Sequence, residues 1–209
     1  MRDFDAYHFA LSMVALVICI TVHEFAHAYS AYRAGDDTPR AQGRLSLNPL
    51  DHLDPMGTIM MVVTSITGFG IGWGKPVIVN PANFRHPRWD NLRVSLWGPL
   101  SNLLTAAVTG TLLRFLMPRA LSSNVAEFLV MVTLIGIGLA IFNLIPIGPL
   151  DGSHILSALL PYEMARSYDY FMARHGILIF LGFIFLGGSL LHQIIGPPAW
   201  FFWHLFTGF

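Results

Sequence analysis

Charge is scarce in this chain. Only 11% of its 209 residues are Asp, Glu, Lys or Arg, against about 25% in an ordinary soluble domain. Hydrophobic residues make up 54%, and the mean hydropathy is +0.58. That balance excludes a soluble globular domain and makes membrane crossings the natural unit of description. The formal net charge is zero and no basic run occurs, so no nucleic-acid partner is expected. One cysteine, Cys19, rules out an intramolecular disulfide. Among apolar neighbours it reads as a small packed residue rather than a metal ligand. No long polar block, repeat or low-complexity tract interrupts the sequence, so residues 1–209 are expected to form a single integral-membrane domain. The opening Met1-Arg2-Asp3-Phe4-Asp5 lacks the basic region of a signal peptide, and the first apolar stretch is expected to be retained.

The apolar residues fall into runs at 9–32, 55–72, 94–117, 125–147 and 175–195. An aromatic tail at 197–209 reads as an interfacial anchor. The pattern predicts an all-α multi-pass membrane protein with about four to six hydrophobic segments. Between the runs lie turn-forming residues at 33–54, a basic stretch at 73–93, and an amphipathic stretch at 161–174 that Pro161 opens as a helix. Arg33, Arg40, Arg44, Lys75, Arg85, Arg88, Arg93, Arg166 and Arg174 share one side if 55–72 returns to the face it entered. Only Arg2, Arg114 and Arg119 then lie opposite, and the positive-inside rule places the larger set in the cytoplasm. The glycines at 57, 68, 70, 72 and 74 suit a re-entrant segment better than a plain spanning helix.

Within the first run stands His23-Glu24-Phe25-Ala26-His27, an H-E-x-x-H motif. On a helix, positions 23 and 27 project from the same face one turn apart. Two neutral imidazoles so placed can hold one zinc ion, and Glu24 can reach a water on it. An ionisable cluster at this depth is costly to bury and points to function. Catalytic zinc ordinarily takes three protein ligands. The extended pattern with glycine and histidine three and six residues after His27 fails, because Ser30 and Arg33 stand there. Asp151 is the stronger candidate. It follows the run 125–147, on the same side as the histidines if 94–117 runs outward and 125–147 returns. Pro146 and Pro149 break the helix before it, so irregular backbone can present its carboxylate. Asp151 also suits a helix N-cap before Gly152. Asp51 and Asp54 read as turn residues, His52 as a solvated loop histidine, and His154 as part of a polar helix face.

Taken together, the motifs resemble the site-2 protease family of intramembrane zinc metalloproteases. They are His23 to His27, Gly98-Pro99-Leu100-Ser101-Asn102, and Asn143-Leu144-Ile145-Pro146 followed by Asp151-Gly152. The stretches Gln42 to Pro49 and Gly72 to Val77 are similar to its short bacterial and archaeal members, which carry no PDZ or CBS domain. The likeness covers about residues 20–160, leaving 175–195 as a C-terminal helix and 197–209 as the tail. It implies an intramembrane endopeptidase, with one Zn2+ held by His23, His27 and Asp151 and with Glu24 as general base. It further implies that Asn143 sits near the metal to hold the substrate or the oxyanion, and that Asn102 faces the cleft to bond an extended substrate backbone. A small membrane-associated β-hairpin around 68–80 is implied as well.

From this resemblance the expected partners are a lipid bilayer and a membrane-protein substrate with a transmembrane segment, with room for a homo-oligomer or a regulatory protein. The expected location is the plasma (inner) membrane, with the active site toward the cytoplasm. Two other functions use the same residues: a membrane metal transporter or sensor, and a non-proteolytic scaffold that binds transmembrane segments. Neither needs a base at position 24.

Overall fold

The computed structural model describes residues 5–67, 72–116 and 123–209. Among them every long element is helical and no strand forms. Helix α1 spans Ala6–Ala34. Asp5 caps its start by accepting from the N–H groups of Tyr7 and His8. Gly35 ends it in the left-handed region at φ 109°, where a side chain would be strained. Short α2 (Thr38–Ala41) and α3 (Pro55–Thr67) follow, then α4 (Pro87–Leu116), α5 (Ser123–Asn143), α6 (Asp151–Leu159), α7 (Tyr162–Leu186) and α8 (Gly188–Thr207). Three of these, α1, residues 124–143 of α5, and α7, are long and apolar enough to cross a membrane. Large apolar side chains such as Val14, Leu104, Val108, Ile177 and Leu178 lie exposed on the outer surface. On a protein of this composition, that is a surface for lipid.

Contacts between helices fix their directions. Val94 meets His27, and Ser101 lies against Val22, so α4 runs antiparallel to α1. Thr109 and Thr133 share a hydrogen bond of 2.7 Å, while Gly136 lies against the Asn102 carbonyl, so α5 runs antiparallel to α4. Small residues permit these close approaches, which drive helix association where water is absent. Ala15 and Cys19 pack on Val132, locking α1 to α5. The C-terminal ends of α1 and α5 and the N-terminal end of α4 therefore gather on one side.

The excursion from 35 to 86 leaves and returns on that side, since the Arg85 N–H donates to the Ala34 carbonyl. Helix α3 has 13 residues, about 20 Å, too short to cross a hydrocarbon core of about 30 Å. Among the described residues the expected β-hairpin is not seen. Residues 68–71 of that stretch lie outside the described residues, and 72–80 contribute only one antiparallel bridge, between Gly74 and Leu53. Two polar side chains hold the excursion instead. Buried Asp36 accepts from Thr38, the Asn80 N–H and the Asn83 amide. His52, expected in solvent, is fully buried and its ring contacts the Ser46 carbonyl at 2.6 Å.

The C-terminal region also departs from expectation. The run 175–195 is not one helix. Gly187 divides it, with α7 starting back at Tyr162 and α8 continuing through Pro197 and Pro198 to Thr207. The tail 197–209 is accordingly more than an interfacial anchor. Ala199, Phe202, Trp203 and Phe206 pack against Ala106, Ile137 and Ile141 of α4 and α5. Prolines are tolerated in such a membrane helix where the backbone groups they free find other partners.

Candidate metal centre

Helix geometry alone puts His23 and His27 on one face of α1. What lets that face dock is Gly98 of α4. A Cβ there would stand 2.3 Å from His27 Nε2 and 2.7 Å from His23 Cε1. Both histidines are buried, and their Nε2 atoms lie 2.9 Å apart.

Asp151 arrives through the irregular stretch 144–150, shaped by Pro146 and Pro149. It is the first residue of α6, whose N-cap is Leu150 without a side-chain cap. Asp151 therefore does not serve as the N-cap. Gly152 seats the helix start against α5, since a Cβ would fall 2.3 Å from the Leu144 carbonyl oxygen. Asp151 Oδ2 lies 3.2 Å from His23 Nε2, and Oδ1 lies 3.3 Å from His27 Nε2. Ligand atoms of the three residues all fall within 4.8 Å of one another. Among the described residues no other group of three His, Cys, Asp or Glu converges this way.

The donor set fits a metal ion. His27 Nδ1 contacts the Val94 carbonyl at 2.8 Å. Its hydrogen therefore sits on Nδ1, and Nε2 presents a lone pair. His23 Nδ1 lies 3.1 Å from the amide of fully buried Asn102, whose Oδ1 has no hydrogen-bond partner. Turning that amide by half a rotation sets Oδ1 to accept the Nδ1 hydrogen and frees the second Nε2 lone pair. Two imidazole lone pairs and a carboxylate then face one another, and Asp151 Oδ2 is buried without a hydrogen bond. A cation at their centre makes that arrangement favourable, and two histidines with one carboxylate are a ligand set of catalytic zinc.

Glu24 stands beside these residues and outside the ligand group. Its Oε2 accepts the Val77 N–H at 3.0 Å and lies 3.6 Å from Arg44 Nη2. Arg44 is 2% exposed and donates to the carbonyls of Asp51 and Lys75. One guanidinium thus ties the turn at 51 to the segment 74–79, which passes over Glu24. A cavity of about 450 Å³ opens here, lined by His23, Glu24, His27, Val77, Asn91, Ser95, Asn143, Asp151 and His154, among others.

Asn143 lines that cavity and donates one N–H to the Leu139 carbonyl at 2.9 Å, leaving the other free for a ligand. Asn102 does not face the cleft as expected. It is buried behind His23 and does not line the cavity, because the antiparallel packing of α1 on α4 covers it. His154 is exposed and lines the cavity. Sequence reasoning missed the parts played by Gly98, Arg44 and the Val94 carbonyl. Arg44 left one signal, as a lone charge in the stretch Gln42 to Pro49; the carbonyl left none.

The chain is similar to known proteins. A family model described as Peptidase family M50 matches residues 115–186. The Bacillus subtilis (strain 168) protein named "Putative zinc metalloprotease YwhC" is 38% identical over 179 residues, covering 81% of this chain and 77% of its own. "Putative zinc metalloprotease Rip2" of Mycobacterium tuberculosis H37Rv is 31% identical over 198 residues, covering 93% of this chain and 73% of its own. The Mycolicibacterium smegmatis protein of the same name is 32% identical over 164 residues, 61% of its length. No solved structure matches the chain. Two histidines and an aspartate that converge, a glutamate beside them and this degree of identity lead to one assignment: the chain belongs to peptidase family M50, the site-2 protease family.

Proposed function

We propose that this protein is an intramembrane zinc metalloendopeptidase that hydrolyses peptide bonds within or next to transmembrane segments of membrane-protein substrates. The family supplies the coarse statement, a membrane zinc metalloprotease. The observation that carries the finer one is the convergence of His23 Nε2, His27 Nε2 and the Asp151 carboxylate at the end of an apolar helix, with Glu24 alongside. The whole chain, residues 1–209, acts in this reading as one integral-membrane peptidase domain.

When bound, zinc supplies Lewis acidity, which polarises a carbonyl and lowers the pKa of water beside it. His23, His27 and Asp151 hold it. Glu24 takes a proton from the attacking water and returns it to the leaving amine. The Val77 N–H and the Arg44 guanidinium hold that carboxylate in place. The Asn143 N–H not bonded to Leu139 donates to the scissile carbonyl oxygen as negative charge develops, a contribution of about 3 kcal/mol for one such donor. Asn102 acts through His23, by fixing its tautomer, rather than by touching substrate.

The site lies on the side where Arg33, Arg85, Arg88 and Arg166 gather, and the positive-inside rule makes that side cytoplasmic in a plasma membrane. Cleavage of a tagged single-span substrate by detergent-purified protein tests the proposal, with metal measured alongside. Wild type should cut and Glu24→Gln should not, with about one zinc per chain in each. A full metal complement without cleavage of any substrate would favour transport or scaffolding, and absence of stoichiometric metal would overturn the centre itself.

A further inference from the structure

A second cavity, also of about 450 Å³, adjoins the metal site and takes no part in the chemistry above. Pro81 and Asn91 line both cavities, so the two are adjacent. Two helices wall the passage. On α4, Arg88, Asn91 and Ser95 follow one another at helical spacing, with Arg88 in the outer cavity, Ser95 in the inner and Asn91 at the join. On α6, Asp151 and His154 line the inner cavity and Ser157 the outer, again along one face.

The outer end carries the charge. The Arg88 guanidinium donates to the carbonyls of Ala158 and Leu160 at the end of α6 (2.7 and 2.6 Å), which holds it in place and leaves Nη1 unused. Arg166 is exposed and makes no ion pair with the described residues. Against these two cations stands one carboxylate, Asp169, so the pocket is positive by one charge. Tyr162 and Asn91 add neutral hydrogen-bonding groups.

We propose that this outer cavity is an exosite for substrate: it holds the polar residues flanking a transmembrane segment and favours an acidic side chain, taken by Arg166. The inference rests on the peptidase reading above. Adjacency to the metal site favours a polypeptide over a lipid headgroup, because a chain seated at the metal passes Pro81 and Asn91 into this trough. The six-residue step from Asp151 to Ser157 rises about 9 Å, the reach of about three residues of extended chain. Recognition is therefore confined to a short window at a fixed distance from the cut.

The test reads binding, so that it stands apart from turnover. Glu24→Gln protein is reconstituted, and its affinity is measured for single-span peptides in which an Asp-Asp pair is walked outward from the end of the transmembrane segment. A matched Lys-Lys series is run beside it. A window of about three positions should bind Asp-Asp more tightly than Lys-Lys, by about fivefold for an exposed charge pair. In the double variant Glu24→Gln, Arg166→Glu that preference should reverse at the same positions. Affinity that ignores position, or an unchanged order in the Arg166→Glu protein, would overturn the exosite. So would a variant that loses affinity for phosphatidylglycerol vesicles while its peptide binding is untouched, since the pocket would then be a lipid site. Wild-type cleavage of the same peptides is scored separately; its failure would remove the peptidase reading and leave the binding result to decide the exosite.

Discussion

Gly98 lies directly against His27: a Cβ on Gly98 would stand 2.3 Å from Nε2 and 2.5 Å from Cε1 of that ring. The hydrogen atom is what allows two imidazoles on α1 to lie on the backbone of α4. Gly98→Ala should push both rings off their common centre and reduce bound zinc well below one per chain. Leu104→Ala, on the exposed face of the same helix, should keep a full complement. Metal content by mass spectrometry of the two purified variants checks this.

Glu24 lies beside His23, His27 and Asp151 without belonging to their cluster. Glu24→Gln keeps an oxygen for the Val77 N–H and should retain zinc, with turnover falling by about 100-fold or more. His23→Ala removes a ligand and should lose metal and turnover together. Stripping wild type with a chelator should abolish cleavage, and zinc should restore it in wild type but not in Glu24→Gln.

Arg44 is buried, donates to the carbonyls of Asp51 and Lys75, and forms an ion pair with the Glu24 carboxylate. A lysine carries a point charge on one nitrogen and has no planar fork to span them. Arg44→Ala removes the donor to both carbonyls and the cation beside Glu24, and should cost about 3 kcal/mol. Arg44→Lys should fold better yet still lose activity, because the segment at 74–79 is no longer tied over the base. Thermal unfolding in detergent, read beside cleavage rate and metal content, separates the two effects.

Asn102 holds the far side of the His23 ring. Asn102→Leu removes the group that fixes the tautomer and should weaken zinc binding by about tenfold or more. Asn102→Asp still accepts the Nδ1 hydrogen and should stay near wild type. Competition against a chromophoric chelator measures both. Equal affinity in all three proteins would show that the contact is packing alone.

Burial raises the Asp36 carboxyl, yet hydrogen bonds from Thr38, Asn80 and Asn83 outweigh it and hold the group below its ordinary range. A depressed folded pKa gives stability that is present above the unfolded value, about 3.9, and is lost as pH falls through the folded one. Wild type should therefore shed the Asp36 contribution below about pH 4. Asp36→Asn should start lower by about 2 kcal/mol and show a shallower acid loss. Unfolding midpoints from pH 6 to pH 3 provide the comparison.

Much of the site is a local matter and was open to the sequence. The four-residue spacing of His23 and His27 fixes a shared face on any helix, and Pro146 and Pro149 announce the irregular backbone that delivers Asp151. Burial was less legible. His52 was expected in solvent because its neighbours are turn formers, yet the excursion from 35 to 86 folds back over it. Asn102 was expected at the cleft because the family resemblance implies it, but the side it faces depends on how α1 crosses α4. The hairpin around 68–80 was a family expectation rather than a pattern in the residues, and the described part of that stretch holds a single bridge.

The C-terminal third shows the same division. Hydropathy marks an apolar run but not where one helix stops and the next begins, and Gly187, not the paired prolines, sets that boundary. Composition and periodicity by themselves determined a helical membrane protein carrying two histidines and a glutamate on one turn, because those properties depend only on neighbours in the chain. Tertiary structure alone decided the antiparallel order that carries Asp151 to the histidines, the glycine contact that admits them, and the arginine that ties a distant segment over the base. Those depend on which helix faces meet, and a chain this apolar offers nearly every face a place to pack.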